Sequence, residues 1–104
     1  AITIEVKTSK KGRWPVGSRV PLPSKSPWVF VHLPENPEDH PDFYILLQEE
    51  LYEVLAPTEK SYMERYKEKH GEEYGTKPGV AALNRTQALP YQNHWKAIIN
   101  QINS

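Results

Sequence analysis

The sequence predicts an α+β fold, strands of one β-sheet followed by helices, and three observations carry that expectation. Ile2, Ile4 and Val6 alternate with Thr3, Glu5 and Lys7, the two-residue period of a half-buried strand. Two short runs, Trp28 to Leu33 and Phe43 to Leu47, are apolar on both faces, as suits strands covered from both sides. After them the period lengthens. Leu47, Leu51, Val54 and Leu55 share one helical face, with Gln48, Glu49, Glu50 and Glu53 turned outward.

Taken in order, the first strand spans 2–8 and presses Ile2, Ile4 and Val6 into a core. Glu5 and Lys7 then project together from its other face, with Cα atoms about 6.6 Å apart at the usual rise per residue. Lys10-Lys11-Gly12-Arg13-Trp14-Pro15 reads as a basic turn, with Trp14 a partly buried anchor at the sheet rim. Residues 16–27 read as an irregular loop. The strands at 28–33 and 43–47 are joined by an acidic, proline-rich turn, and such short connections place all three strands side by side. The acids of the first helical turn suit a helix N-terminus. Pro57 is expected to break that helix and open a second one. There Tyr62, Met63 and Tyr66 form a core stripe, and Gly71 supplies the stop. Residues 71–79 read as a loop and 80–89 are ambiguous. A terminal helix over 90–103 is expected to bury Tyr91, Trp95, Ile98, Ile99 and Ile102.

A chain of 104 residues makes one domain. It has no apolar run near the roughly 20 residues that a membrane helix needs. It also shows no secretory signal, so a cytoplasmic location is expected. The chain has no cysteine, which excludes disulfides and cysteine-ligated zinc. The zero net charge hides a segregation: residues 1–34 carry +5, residues 35–73 carry −8, and residues 74–104 carry +3. Such an asymmetry points the basic first third toward an anion such as nucleic acid. Plainly charged loops and solvated helix faces account for it equally well.

Few chemical motifs are present. The four histidines, His32, His40, His70 and His94, match no metal-ligand spacing, and only His32, at a strand end, is well placed for chemistry. The chain contains neither a phosphate-cradling glycine loop nor a Gly-x-Ser-x-Gly elbow, and its serines lack visible triad partners. Asn84-Arg85-Thr86 is a glycosylation sequon, read as chance in the absence of a secretion signal. What remains is the Glu5–Lys7 pair. A carboxylate there could hold a hard cation, and the ammonium beside it could meet developing negative charge. The ordinary reading is a surface ion pair of small energetic value.

The strand Ile4-Glu5-Val6-Lys7-Thr8-Ser9, the basic turn, and the two apolar strands entering a helix resemble the PD-(D/E)XK nuclease superfamily. The likeness covers roughly residues 2–55, and more narrowly resembles the endonuclease-like proteins of restriction and repair systems. The resemblance implies a restriction-endonuclease-like mixed sheet with the Glu-x-Lys strand at its centre. It makes Glu5 a ligand of Mg2+ or Mn2+, the Val6 carbonyl a further ligand, and Lys7 the catalytic lysine of DNA phosphodiester hydrolysis. Lys10, Lys11, Arg13 and Arg19 would grip the DNA. The family's first helix, hairpin and second acid precede this strand, and only four residues stand before Glu5 here. The chain is therefore expected to be the C-terminal part of a longer enzyme, inactive on its own. DNA is the expected partner, no membrane is expected, and a homodimer is compatible with the likeness. Two other classes stand beside the nuclease: a DNA-binding module that keeps the fold without the chemistry, and a protein-interaction domain working through the acidic residues 35–73.

Overall fold

A computed structural model describes residues 3–71 and 81–103. Its elements are β1 (Glu5–Ser9), β2 (Arg13–Gly17), β3 (Pro27–His32), β4 (Asp42–Leu47), α1 (Gln48–His70), β5 (Ala81–Asn84), α2 (Arg85–Ala88), a 3-10 turn (Leu89–Tyr91) and α3 (Lys96–Ile102). The fold is α+β, with three helices and two sheets among the described residues. Ile2 and, apart from Gly71, the loop expected at 71–79 lie outside the described residues.

The larger sheet has the order β1-β3-β4. β1 runs parallel to β3, setting Glu5 opposite Trp28 and Lys7 opposite Phe30. β4 returns antiparallel to β3, setting Leu46 opposite Trp28 and Tyr44 opposite Phe30. The three expected strands thus do share one sheet, but the central strand is β3. Among the described residues, β1 pairs only with β3.

A second sheet pairs β2 with β5 antiparallel. Residues 13–17 are therefore a strand, not a turn passing into a loop. Trp14 and Val16 are buried while Arg13, Pro15 and Gly17 are exposed, a strand alternation that proline and glycine disguise in the sequence. The pairing slips between Pro15 and Gly17, an irregularity typical of strands that contain these residues. Trp14 is no rim anchor: it is fully buried and packs on Phe30 and Tyr44 at 5.5 and 5.6 Å between ring centres. Its indole Nε1 donates to the carbonyl of Val31 at 3.0 Å.

This arrangement gives β3 and β4 two different cores. On one face Trp14, Trp28, Phe30, Tyr44, Leu46, Leu51, Leu55 and Leu83 pack together beneath the β2–β5 ribbon and the first half of α1. On the other, Val29, Val31 and Ile45 pack against Ala97 and Ile98 of α3. That second layer is short and leaves β1 open: Ile4 is 40% and Val6 57% exposed. The expectation that Ile4 and Val6 press into a core fails for this reason.

α1 begins where the Leu47 N–H donates to the Glu50 carboxylate at 2.9 Å. It ends at Gly71, whose φ of 69° is left-handed and whose N–H caps Lys67. The helix runs unbroken through Pro57. Pro57 and Glu53, whose carbonyl loses its i+4 donor to the proline, both lie on the exposed face, so the gap in the helix ladder is not buried in the core. Beyond Pro57 the helix passes the edge of the core. Tyr62 is exposed, and Met63 and Tyr66 are only half-buried, so that stripe is not core. The terminal segment is also divided: a 3-10 turn and the short α3 replace one long helix over 90–103, and the ambiguous 80–89 stretch holds β5 and the four-residue α2. Of its expected stripe only Ile98 is buried, while Trp95, Ile99 and Ile102 are exposed.

Candidate nucleic-acid interface

The Glu-x-Lys strand places its two charged side chains as the alternation predicts. Cross-strand register puts Glu5 and Lys7 on the sheet face that carries Trp28 and Phe30, the face of the larger core. At the sheet edge Glu5 stays exposed and Lys7 is half-buried, with its ammonium 5.9 Å from the centre of the Trp28 ring. The Trp28 ring lies parallel to Phe30 at 5.9 Å and donates through Nε1 to Gln48 at 3.1 Å. Lys7 therefore lies against a fixed aromatic plate, and its charge stays at the solvent boundary.

The basic residues that follow split into two groups. Lys10 and Lys11 sit exposed in the turn between β1 and β2. The Lys11 N–H donates to the Ser9 hydroxyl at 3.1 Å, and the Lys10 carbonyl lies 3.3 Å from His32 Nε2. The turn needs Gly12, whose φ is 69° and whose carbonyl accepts from the Arg85 N–H at 2.9 Å. Arg13 and Arg19 belong elsewhere. They line a cavity between the β2–β5 ribbon and α1, together with Arg65, a residue the sequence did not single out. Arg65 stands three residues after Tyr62, one helical step along the same face, but nothing local to the sequence tells which element that face meets.

A polar network closes the end of the larger sheet. Arg85 donates through Nε to the buried Tyr44 hydroxyl at 3.0 Å and through an Nη to Asp42 at 3.2 Å. The Tyr44 contact first, and Asp42 after it, raise the Arg85 pKa and hold the guanidinium charged. His32 Nδ1 lies 3.9 Å from Asp42. The Asn84-Arg85-Thr86 triplet has a structural use here. Asn84 caps α2, accepting from the Gln87 N–H at 2.8 Å, while the Gln87 side chain accepts from the Asn84 N–H at 3.0 Å.

Mg2+ takes oxygen ligands in near-octahedral geometry, often with one or two carboxylates and several waters. Glu5 and the Val6 carbonyl are one carboxylate and one backbone oxygen. Among the described residues, no three histidine, aspartate or glutamate side chains converge on a point that could hold a metal ion. The described residues therefore do not make a metal centre by themselves, and Glu5 stands as a single acid on an edge strand.

What these elements define is an α+β domain with a charged, solvent-open sheet edge leading into a basic turn. No protein family, curated protein or solved structure matches the chain.

Proposed function

We propose that this domain acts on DNA as an endonuclease of the PD-(D/E)XK type, with β1 as the strand that meets the scissile phosphate. The observation that carries the reading is the placement of Glu5 and Lys7 on one face of an exposed edge strand, with Lys7 held against Trp28. Lys7 meets the negative charge of the phosphodiester, and charge placed beforehand at a reacting centre is the strongest lever such a site has. Lys10 and Lys11, one turn further on, hold the backbone on either side without regard to sequence. A divalent metal, Mg2+ or Mn2+, would supply Lewis-acid activation of water. Glu5 and Val6 would be only its partial support, so no step is assigned through it.

The single acid at the edge favours a second reading, in which the same face binds DNA without cutting it. Plasmid nicking separates the two. Supercoiled DNA is incubated in Mg2+ or Mn2+ with the folded protein expressed from its full reading frame, and with the 104-residue chain beside it. Nicking by the full product that disappears in both Glu5→Gln and Lys7→Ala is expected for the endonuclease. Salt-sensitive binding by the folded full product without nicking in either metal overturns it in favour of the binding module.

A further inference from the structure

A cavity of about 520 Å³ lies between the β2–β5 ribbon and the middle of α1. Three arginines from separate parts of the chain line it: Arg13 from β2, Arg19 from the segment after it, and Arg65 from α1, with Arg19 also donating through an Nη to the Ser18 carbonyl at 2.9 Å. Among the described residues the one carboxylate on the wall is Glu59, which accepts from the Val20 N–H at 2.9 Å. Glu59 thus pins the segment carrying Arg19 onto α1, and the described lining carries three guanidinium groups against this one acid. Guanidinium forks bind phosphate oxygens in pairs, with a geometry that lysine lacks. The arginines share the cavity with Tyr62 and Met63, a flat ring and a pliable thioether of the kind on which a nucleobase stacks. The volume falls inside the range of roughly 300–1,000 Å³ usual for small-molecule sites.

We propose that this cavity binds a nucleoside phosphate, with the phosphate on Arg13, Arg19 and Arg65 and the base against Tyr62 and Met63. Neither Glu5 nor Lys7 lines it, so the site is separate from the β1 edge and does not depend on hydrolysis there. The nucleotide has two sources, a free mononucleotide or one unit of a nucleic-acid strand, which share this chemistry.

Calorimetric titration of the 104-residue chain distinguishes them. The probes are adenosine, guanosine, cytidine and uridine 5′-monophosphates, the matching nucleosides, and a 5′-phosphorylated single-stranded octanucleotide. The variants are Arg65→Gln and Tyr62→Ala, both at exposed positions, and Lys7→Ala. Saturable binding of at least one monophosphate is expected, weakened about tenfold or more in Arg65→Gln, weaker for the nucleoside and unchanged in Lys7→Ala. Binding of the octanucleotide alone, with the same dependence on Arg65, supports the site and assigns it to a nucleic-acid strand. No saturable binding of any probe, or binding indifferent to Arg65→Gln, overturns the proposal. Nicking lost in Lys7→Ala beside unchanged nucleotide binding would show that the two sites stand or fall separately.

Discussion

The Lys7 ammonium lies 5.9 Å from the centre of the Trp28 ring, which ties the one half-buried cation of β1 to the aromatic wall of the main core. A cation over an aromatic face at a site open to solvent contributes about 0.5–1 kcal/mol. Lys7→Ala is therefore expected to lower the unfolding free energy by no more than about 1 kcal/mol, read from urea denaturation. A loss of DNA function in that variant would then belong to the ammonium and not to unfolding. A much larger loss of stability would make Lys7 a structural residue.

Trp14 joins the two sheets. It is fully buried, packs on Phe30 and Tyr44, and donates to the Val31 carbonyl. Trp14→Ala removes the ring and leaves a cavity, at a cost of about 3–5 kcal/mol. That is a large share of the total stability of a domain this size. Trp14→Phe keeps most of the packing and loses one hydrogen bond to the Val31 carbonyl, for about 0.5–1.5 kcal/mol. Denaturant midpoints should fall in that order, alanine furthest.

Gly12 occupies a left-handed conformation at φ 69°, and a Cβ there would stand 3.4 Å from the Cβ of Arg85. Gly12→Ala is expected to cost about 1–2 kcal/mol for the backbone alone. It also presses on the contact in which Arg85 donates its N–H to Gly12. Thermal unfolding measures the loss. Amide exchange at Arg85 should quicken in the same variant, since that N–H is the one whose acceptor moves.

Tyr91 gives the fold a pH dependence with a definite sign. Burial first, then the nearby charges of Glu50 and Glu53, raise its phenol above the ordinary value of 10.0. A group that holds its proton more tightly when folded contributes stability that is fully present below the unfolded pKa. That contribution disappears as pH rises through the folded pKa. Stability should thus decline from about pH 10 upward, and part of that decline should be absent in Tyr91→Phe. Denaturation curves for the two proteins at about pH 8, 10 and 11 bracket that window and provide the check.

The three strands of the larger sheet and the start of α1 were legible because their signals are local. Period-two alternation marks β1, doubly apolar runs mark β3 and β4, and one helical stripe marks Leu51 and Leu55. The ribbon of β2 and β5 was not legible, because Arg13 pairs with Asn84 far along the chain and Pro15 and Gly17 read as breakers. Pro57 misled because whether a proline ends a helix depends on whether the freed carbonyl meets water, a matter of tertiary placement. At the candidate interface, the pairing of Glu5 with Lys7 on one face followed from the two-residue period alone. That Ile4 and Val6 would be exposed did not, since it depends on how far α3 reaches across the sheet. That Arg65 lines one cavity with Arg13 and Arg19 likewise needed the fold.

Both functional readings share one claim, that the β1 edge and its turn face the DNA backbone. The measurement that tests it most directly is duplex-DNA affinity as a function of salt. The unaltered chain is compared with a Lys7/Lys10/Lys11→Ala variant and with a control, Lys60/Lys69/Lys96→Ala, whose exposed lysines lie on α1 and α3. Removing one lysine that neutralises a phosphate lowers the slope of log K against log salt by about 0.9. The slope should fall by between about two and three in the β1 variant and hardly at all in the control. An equal fall in the two variants, or no salt-dependent DNA binding by the folded protein, would contradict the assignment of this edge to DNA.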